Sequence, residues 1–143
     1  MRNKDELTPS MEDYLETILL LEEKNRVARV KDIAEKLSVQ MPSVTGALKS
    51  LKSKELVEYE KNSFINLTPK GMELARAIFH KHQILVDFFK DALGLEGDNA
   101  EQQACRVEHA INEETAERFR NLTLWIRSQP NLARAPGAVP PAE

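Results

Sequence analysis

The fold is indicated most clearly by residues 30–51, which read VKDIAEKLSVQMPSVTGALKSL. The first part of this stretch has apolar residues at helical spacing and predicts a helix over residues 30–37. A turn of three residues follows, and Pro42 then suits the first turn of a second helix. The predicted buried stripe of that second helix is Val44, Leu48 and Leu51. Two short helices joined by so brief a turn predict a helix-turn-helix.

A β-hairpin is predicted directly after the second helix. Residues 56–60 and 64–67 both alternate apolar and polar side chains, which is typical of half-buried strands. Residues 61–63 separate them, without the Asn-Gly pair that favours the tightest hairpin turns. A hairpin in this place is the wing of a winged helix, so we expect a winged-helix domain over residues 1–70.

The rest of the chain predicts helices and a terminal tail. Thr8-Pro9 and Thr68-Pro69 each place a threonine as N-cap and a proline in the first turn. Apolar periodicity predicts helices over about 9–24, 69–91, 99–111 and 113–128. Pro130 ends the last helix, and the tail 130–143 is predicted to be disordered. The expected fold class is therefore mainly α, with an N-terminal winged helix-turn-helix, a β-hairpin wing and an all-helical domain over 71–129.

Composition restricts the classes of function. The chain has 143 residues and a net charge of −3, but residues 26–70 hold nine Lys/Arg against five acids, which gives +4 there and −7 elsewhere. This asymmetry indicates a basic nucleic-acid-binding segment on an acidic body, although a solvated surface gives the same pattern. No apolar run approaches the roughly 20 residues that span a membrane, and the first residues do not resemble a secretory signal. A single cysteine allows no internal disulfide, so a cytoplasmic location is expected.

Three candidate metal ligands share one predicted helix. Cys105, Glu108 and His109 stand at positions i, i+3 and i+4, which places one sulfur, one oxygen and one nitrogen donor on the same helical face. The apolar residues Ala104, Val107 and Ile111 point the other way. A polar face opposite an apolar one is also what any surface helix shows, so this pattern by itself leaves both interpretations open.

Further candidate ligands lie on two other predicted helices. Asp13 and Glu16 are one turn apart, opposite the apolar stripe of the first helix, where the helix dipole also favours acids. His82 falls within the apolar stripe of the helix over 69–91, whereas His80 is expected on its exposed face. A histidine in such a stripe is usually a core residue with a polar partner, but burial of an imidazole requires a partner and a metal ion is one such partner, so His82 rather than His80 is the candidate ligand.

The six candidates together suit a borderline divalent ion. Two imidazoles, three carboxylates and one thiol fit Fe(II), Mn(II), Co(II), Ni(II) or Zn(II), and they disfavour Mg(II) and Ca(II). The carboxylates favour Mn(II) and Fe(II), while the thiol disfavours Mn(II). The donors by themselves leave the choice among these five ions open.

Six short motifs lie along residues 8–128: TPSMEDYLE at 8–16, DIAEKL at 32–37, PSVT at 42–45, LTPKG at 67–71, KH at 81–82 and ACRVEH at 104–109. In these motifs the chain resembles a known family, the metal-dependent repressors related to the diphtheria toxin repressor and the manganese transport regulator. These motifs run in the same order through the predicted DNA-binding segment and the candidate ligands.

The resemblance implies a homodimeric repressor that binds pseudo-palindromic operator DNA when loaded with divalent metal and controls metal homeostasis genes. It makes residues 71–129 the dimerisation and metal-sensing domain. Asp13 matches the manganese branch of the family, whereas Cys105 matches the iron branch, so the ligand set is a hybrid. The cofactor that the resemblance implies is Fe(II) or Mn(II), with a slight preference for iron. The ancillary metal site of the iron branch has a glutamate where Val86 stands and a histidine where Glu101 stands, so a contribution from Glu101 is left open. The SH3-like domain of the longer members is not expected here.

In the predicted winged helix, the side chains expected to face the major groove are Gln40, Pro42, Ser43, Thr45 and Gly46. Phosphate contacts are expected from Lys49, Lys52 and the wing residue Lys61. Each lysine is equally consistent with ordinary solvation. Two such domains in a dimer would fit successive major grooves about 34 Å apart.

The same residues bear on two other classes of function. A winged-helix redox regulator would use oxidation of Cys105 and need no metal. A metalloenzyme would need a motif such as His-Glu-x-x-His, a nucleophile arrangement or a phosphate loop, and the sequence has none of these. The chain is therefore expected not to be an enzyme.

Overall fold

The computed structural model describes residues 6–25, 27–60 and 64–130. In chain order the elements are α1 (Pro9–Asn25), α2 (Val30–Leu37), α3 (Met41–Ser53), β1 (Val57–Glu58), β2 (Asn66–Leu67), α4 (Pro69–Asp91), α5 (Gly97–Val107) and α6 (Glu113–Arg127). The chain divides inside α4 into a first unit that ends at Ile78 and a second unit that begins at Phe79. A mainly helical chain with one small antiparallel sheet confirms the predicted fold class.

In the first unit, α2 and α3 form the predicted helix-turn-helix. α2 ends because Ser38 adopts a left-handed backbone conformation (φ 55°, ψ 45°), which turns the chain and closes the helix end. α3 begins two residues after Val39, with Pro42 in its first turn. The predicted stripe of α3 is fully buried, at Val44, Leu48 and Leu51. The apolar spacing therefore located both helices correctly.

The wing is a short hairpin. β1 pairs with β2 antiparallel, and Val57 is the partner of Leu67. Each strand has two residues, fewer than predicted. The neighbouring Ile65 pairs with Ala28, to whose carbonyl its N–H donates a hydrogen bond of 2.9 Å. Residues 61–63 lie outside the described residues, so the turn type stays a prediction.

Both Thr-Pro helix starts are confirmed. The Oγ1 of Thr8 accepts a hydrogen bond from the N–H of Met11 at 3.2 Å, and that of Thr68 accepts one from Gly71 at 3.0 Å. The first turn of α4 lies against the backbone that leads into β1. A Cβ atom on Gly71 would stand 1.9 Å from the carbonyl oxygen of Leu56, so this close approach requires glycine.

In the second unit, small side chains let α5 approach α4. Ala100 and Ala104 of α5 are buried in one cluster with Leu85 and Val86 of α4. Larger side chains pack around this cluster and are partly buried, namely Phe89, Leu95, Val107, Ile111 and Phe119. This cluster sets the distance between α4, which bears His82, and α5, which bears Glu101 and Cys105.

α5 ends at Val107, so the prediction of a helix over about 99–111 was wrong at its C-terminal end. The chain turns at residues 108–110 because Asn112 starts α6, where its Oδ1 accepts a hydrogen bond from the N–H of Thr115 at 2.8 Å. The helical pattern of the sequence continues past this end, and Glu108 still has right-handed helical backbone angles. Residues 131–143 of the predicted tail lie outside the described residues. Within the described ranges, no helix is both long and apolar enough to span a bilayer.

Candidate metal centre and DNA-binding face

His82 lies on α4 between two carboxylates. Its Nδ1 is 2.6 Å from Oε2 of Glu108, and its Nε2 is 2.7 Å from Oε2 of Glu101. The His82 residue is only 5% exposed, while the exposed His80 pairs with Glu117 at 3.1 Å. The prediction that His82 is the buried histidine of α4 and His80 the surface histidine is therefore confirmed.

These neighbours make His82 strongly basic in the metal-free chain. Burial lowers the pKa of its imidazole, but hydrogen bonds with Cys105, Glu108 and Glu101 outweigh burial and raise the pKa to about 11. The ring is therefore a cation at neutral pH, and both of its nitrogens donate to carboxylates. A ligand that uses one of these nitrogens must displace a proton first.

A compact set of donors surrounds His82 in the second unit. His82, Cys105 and Glu108 each offer a ligand atom, and these atoms lie within 4.8 Å of one another. Cys105 is exposed and belongs to α5, whereas Glu108 follows the last residue of α5 and is 0% exposed. One nitrogen, one sulfur and one oxygen donor at this spacing suit a borderline divalent ion.

The carboxylate of Glu108 provides the test of whether a cation fits. Its Oε1 is buried and accepts no hydrogen bond from any residue that the structure describes, although Nε2 of His109 lies 3.4 Å away. A buried carboxylate oxygen without a hydrogen bond is energetically costly, and a bound cation removes that cost. The residues present therefore fit a divalent metal ion.

The sequence pattern predicted Cys105, Glu108 and His109 on one face of a single helix, but that helix ends at Val107. Only Cys105 lies within α5, while Glu108 caps the helix and the half-buried His109 lies in the following turn. The helical backbone angles of Glu108 nevertheless bring its side chain into the same donor set as Cys105.

The other two candidate ligands, Asp13 and Glu16, lie one turn apart on α1 in the first unit. We predicted both opposite the apolar stripe of this helix. Asp13 is half-buried and Glu16 is only 8% exposed, so Glu16 is buried although it stands opposite that stripe. Burial of a carboxylate is costly unless it is paired or bound to a cation, so an ordinary solvated face does not account for Glu16.

Glu101 is the residue of this site that sequence reasoning left undecided. It lies on α5, one turn before Cys105, and its carboxylate meets His82 from the side opposite to Glu108. The spacing of four residues before Cys105 was the available signal. The sequence could not show which ring nitrogen of His82 it would meet.

The predicted DNA-contacting residues lie around α3. Gln40, Pro42, Ser43, Gly46, Lys49 and Lys52 are exposed, and Thr45 is half-buried. The Oγ1 of Thr45 donates to the carbonyl of Met41 at 3.2 Å, which leaves its lone pairs for a base edge. Lys52 donates to the carbonyl of Tyr59 at 2.9 Å and so joins α3 to the wing. Lys61 lies outside the described residues.

Comparison with known proteins identifies the family. Residues 6–64 match the N-terminal DNA binding domain of the iron dependent repressors, and residues 68–136 match their metal binding and dimerisation domain. The chain belongs to the iron dependent repressor family. It is therefore a metal-dependent transcriptional repressor with a DNA-binding domain and a dimerising metal-binding domain, which confirms the resemblance inferred from the motifs.

Individual relatives agree with this family. The chain is 37% identical over 115 residues to an HTH-type transcriptional regulator of Methanocaldococcus jannaschii, covering 80% of this chain and 92% of that protein. It is 36% identical over 120 residues to the HTH-type transcriptional regulator MntR of Geobacillus kaustophilus, covering 84% of each. The solved structure of the manganese regulator SloR matches with a TM-score of 0.73 at 33% identity, covering 83% of this chain and 55% of that chain. This chain thus spans about half the length of SloR.

Proposed function

We propose that this repressor binds pseudo-palindromic operator DNA when Fe(II) or Mn(II) is bound, and so controls genes of metal homeostasis. The ligands proposed are Asp13, Glu16, His82, Cys105, Glu108 and His109. The observation that supports this most is the buried Glu108 carboxylate, which lies beside an imidazole and a thiol and has one oxygen that accepts no hydrogen bond from the described part of the chain. Such a donor set in the metal-binding part of a repressor chain is expected to sense a metal.

The choice between iron and manganese depends on two residues in this proposal. Cys105 supplies a thiolate, which favours Fe(II) over Mn(II). Asp13 supplies a hard carboxylate oxygen, which suits both ions. The solved relative SloR is a manganese regulator, so both ions belong in the test.

The bound ion would supply positive charge that neutralises the clustered carboxylates. The chain's own residues do the rest. With an ion bound, His82 would offer one ring nitrogen after losing a proton to solvent, and Glu108 would have the ion in place of the imidazolium as its counter-charge. A ligand shifts the population of a DNA-binding conformation only through a difference in affinity between conformations, and a complete switch requires about 10⁴-fold.

The DNA contacts of this proposal come from α3, its N-cap and the wing. Gln40, Pro42, Ser43, Thr45 and Gly46 would meet base edges, and Lys49, Lys52 and Lys61 would meet phosphates. Exposure of the α3 residues supports this assignment. A Cβ on Gly46 would meet nothing within 4 Å, so the fold does not require glycine there, and close approach of DNA is the reason we propose for it.

The domain assignment and the location are part of the same proposal. We assign residues 1–70 to DNA binding, 71–129 to dimerisation and metal sensing, and 130–143 to a tail. A DNA-binding regulator of this family acts where the chromosome is, so we propose a cytoplasmic location and a regulatory rather than an enzymatic role.

The test begins with selection of binding sites from random duplex DNA in the presence of Mn(II) or Fe(II) under anaerobic conditions. Affinity for the selected duplex is then titrated with Mn(II), Fe(II), Co(II) and Zn(II), and with a chelator. We expect tighter binding with at least one ion and a two-fold symmetric selected sequence. No change in affinity with any ion would refute the proposal.

Two variants separate the roles of the two regions. Glu108→Gln keeps the shape of the side chain and removes its charge, and should abolish the metal response while DNA binding by the metal-free form is unchanged. Gln40→Ala should weaken DNA binding and leave metal affinity as in the wild type. Cys105→Ser tests the redox alternative, because a variant that still responds to Mn(II) excludes a switch that needs the thiol.

A further inference from the structure

The two carboxylates that hold His82 have different surroundings. Glu108 is completely buried and shares the donor set with Cys105, whereas the Glu101 side chain is 56% exposed and contacts the opposite edge of the ring. His82 is thus fixed at both nitrogens, at 2.6 Å on one side and 2.7 Å on the other. The two sides of the ring are therefore chemically distinct.

Only one of the two nitrogens of His82 can bind an ion in this setting. A neutral imidazole has one lone pair for a ligand bond, and its other nitrogen bears a proton that needs an acceptor. The nitrogen near Glu108 is Nδ1, and Glu108 belongs to the set of atoms within 4.8 Å of one another. Among the described residues, Glu101 is not a member of that set. The arrangement therefore favours Nδ1 as ligand and Nε2–H as donor.

We propose that Glu101 is a positioning residue for the metal site: it accepts a hydrogen bond from Nε2–H of His82 and so holds the ring in the tautomer that presents Nδ1 to the ion. This inference rests on the proposed function, since it assumes that His82 is a ligand. It assigns Glu101 a role outside the coordination sphere.

The local structure suits this role. Glu101 is four residues before Cys105 on α5, so the helix that supplies the thiol also supplies the acceptor for the imidazole. The carboxylate oxygen of Glu101 lies 2.7 Å from Nε2 of His82, within hydrogen-bond distance of the ring. The ring of Phe79 stacks near His82, with centroids 6.4 Å apart and planes 17° from parallel, and further restricts its orientation. Histidine ligands commonly donate their second N–H to a carboxylate, which fixes the tautomer and makes the ligand nitrogen more basic.

The proposal is tested by Zn(II) affinity in competition with a chromophoric chelator, on the full chain. Glu101→Ala removes the acceptor and should weaken binding about 10–100-fold. Glu101→Gln keeps an oxygen acceptor and should lie closer to wild type than Glu101→Ala does. Glu96→Gln is the control for charge, because Glu96 is an exposed residue at the N-cap of the same helix with no side-chain cap hydrogen bond. All variants should bind the same number of ions.

A spectroscopic measurement separates positioning from a general structural effect. In Zn(II)-loaded wild type and Glu101→Gln, the imidazole ¹⁵N spectrum of His82 should show the proton on Nε2. Equal losses in both Glu101 variants together with a lower ion count would make Glu101 a ligand and overturn the proposal. If Glu101→Ala bound Zn(II) as tightly as the wild type does, the proposal would be overturned as well, although the metal site itself would stand. Absence of Zn(II) binding by the wild type would instead refute the proposed function, and this inference with it.

Discussion

Metal binding at His82 should release a proton, and the release should control how affinity depends on pH. The pKa of His82 is about 11 in the metal-free chain, so the ring is protonated at both nitrogens at neutral pH. A nitrogen ligand must be unprotonated, so each ion bound expels one proton from this residue. One proton corresponds to a tenfold rise in affinity per pH unit, or about 1.4 kcal/mol. Cys105 must bind as thiolate and can add to this number.

The proton count can be measured by isothermal titration calorimetry with Zn(II) at fixed pH. The observed heat varies with the ionisation enthalpy of the buffer, and the slope of that variation is the number of protons released. We expect at least one proton between about pH 6 and 8, because the whole range lies below the folded-state pKa of His82. Affinity measured across the same range should rise with pH accordingly.

Two histidines of α4 provide a matched pair of variants. His82→Gln should release one proton fewer per ion than wild type and bind more weakly. His80→Gln removes an exposed histidine two residues away and should release as many protons as wild type. If His82→Gln and wild type release equal numbers of protons, the proton does not come from His82 and the reasoning is refuted.

Three further predictions follow from the fold and its charges. In the metal-free chain the raised pKa of His82 contributes stability that is fully present below its unfolded value of 6.5 and is lost as pH rises towards about 11. The free energy of unfolding from chemical denaturation should therefore fall over this range, and it should fall less in His82→Gln. Gly71→Ala should destabilise the chain by about 1–3 kcal/mol, because the clash of the new Cβ with the backbone of Leu56 outweighs the helix preference of alanine of about 1 kcal/mol. Gly46→Ala meets no such clash and should stabilise the chain. Equal urea midpoints for the two variants would contradict this. Lys49→Ala should lower the salt dependence of DNA binding by about one unit of log–log slope, while Lys90→Ala, which is exposed on the second unit, should not.

Local sequence was sufficient for the helix-turn-helix and the helix starts. The stripe of Val44, Leu48 and Leu51 requires only a periodicity of 3.6 residues, and its burial was predicted correctly. Thr8 and Thr68 cap helices through hydrogen bonds to residues three positions later, which is an interaction within one turn. Such features depend on neighbours in the chain, so they can be inferred without knowledge of the rest of the fold.

The end of α5 could not be inferred in the same way. The apolar and polar pattern continues to Ile111, but α5 ends at Val107. The N–H of Glu108 still donates to the carbonyl of Ala104 at 2.9 Å, and the chain then turns before Asn112 caps α6. Two signals competed, since periodicity favoured a longer helix and the capping residue favoured a turn. The structure resolves this in favour of the cap, which changes the backbone around Glu108 and His109 from helix to turn.

The sequence by itself determined the family, the type of fold and which residue types could bind a metal, because these depend on periodicity, capping and motif order. Tertiary structure alone decided how His82 is used. Its two partners, Glu108 and Glu101, are 26 and 19 residues away in the chain, and they reach opposite ring nitrogens only because small residues on α5 let that helix pack closely on α4. The pKa of an imidazole and the choice of its ligand atom depend on distances of a few ångströms, which the order of residues does not specify.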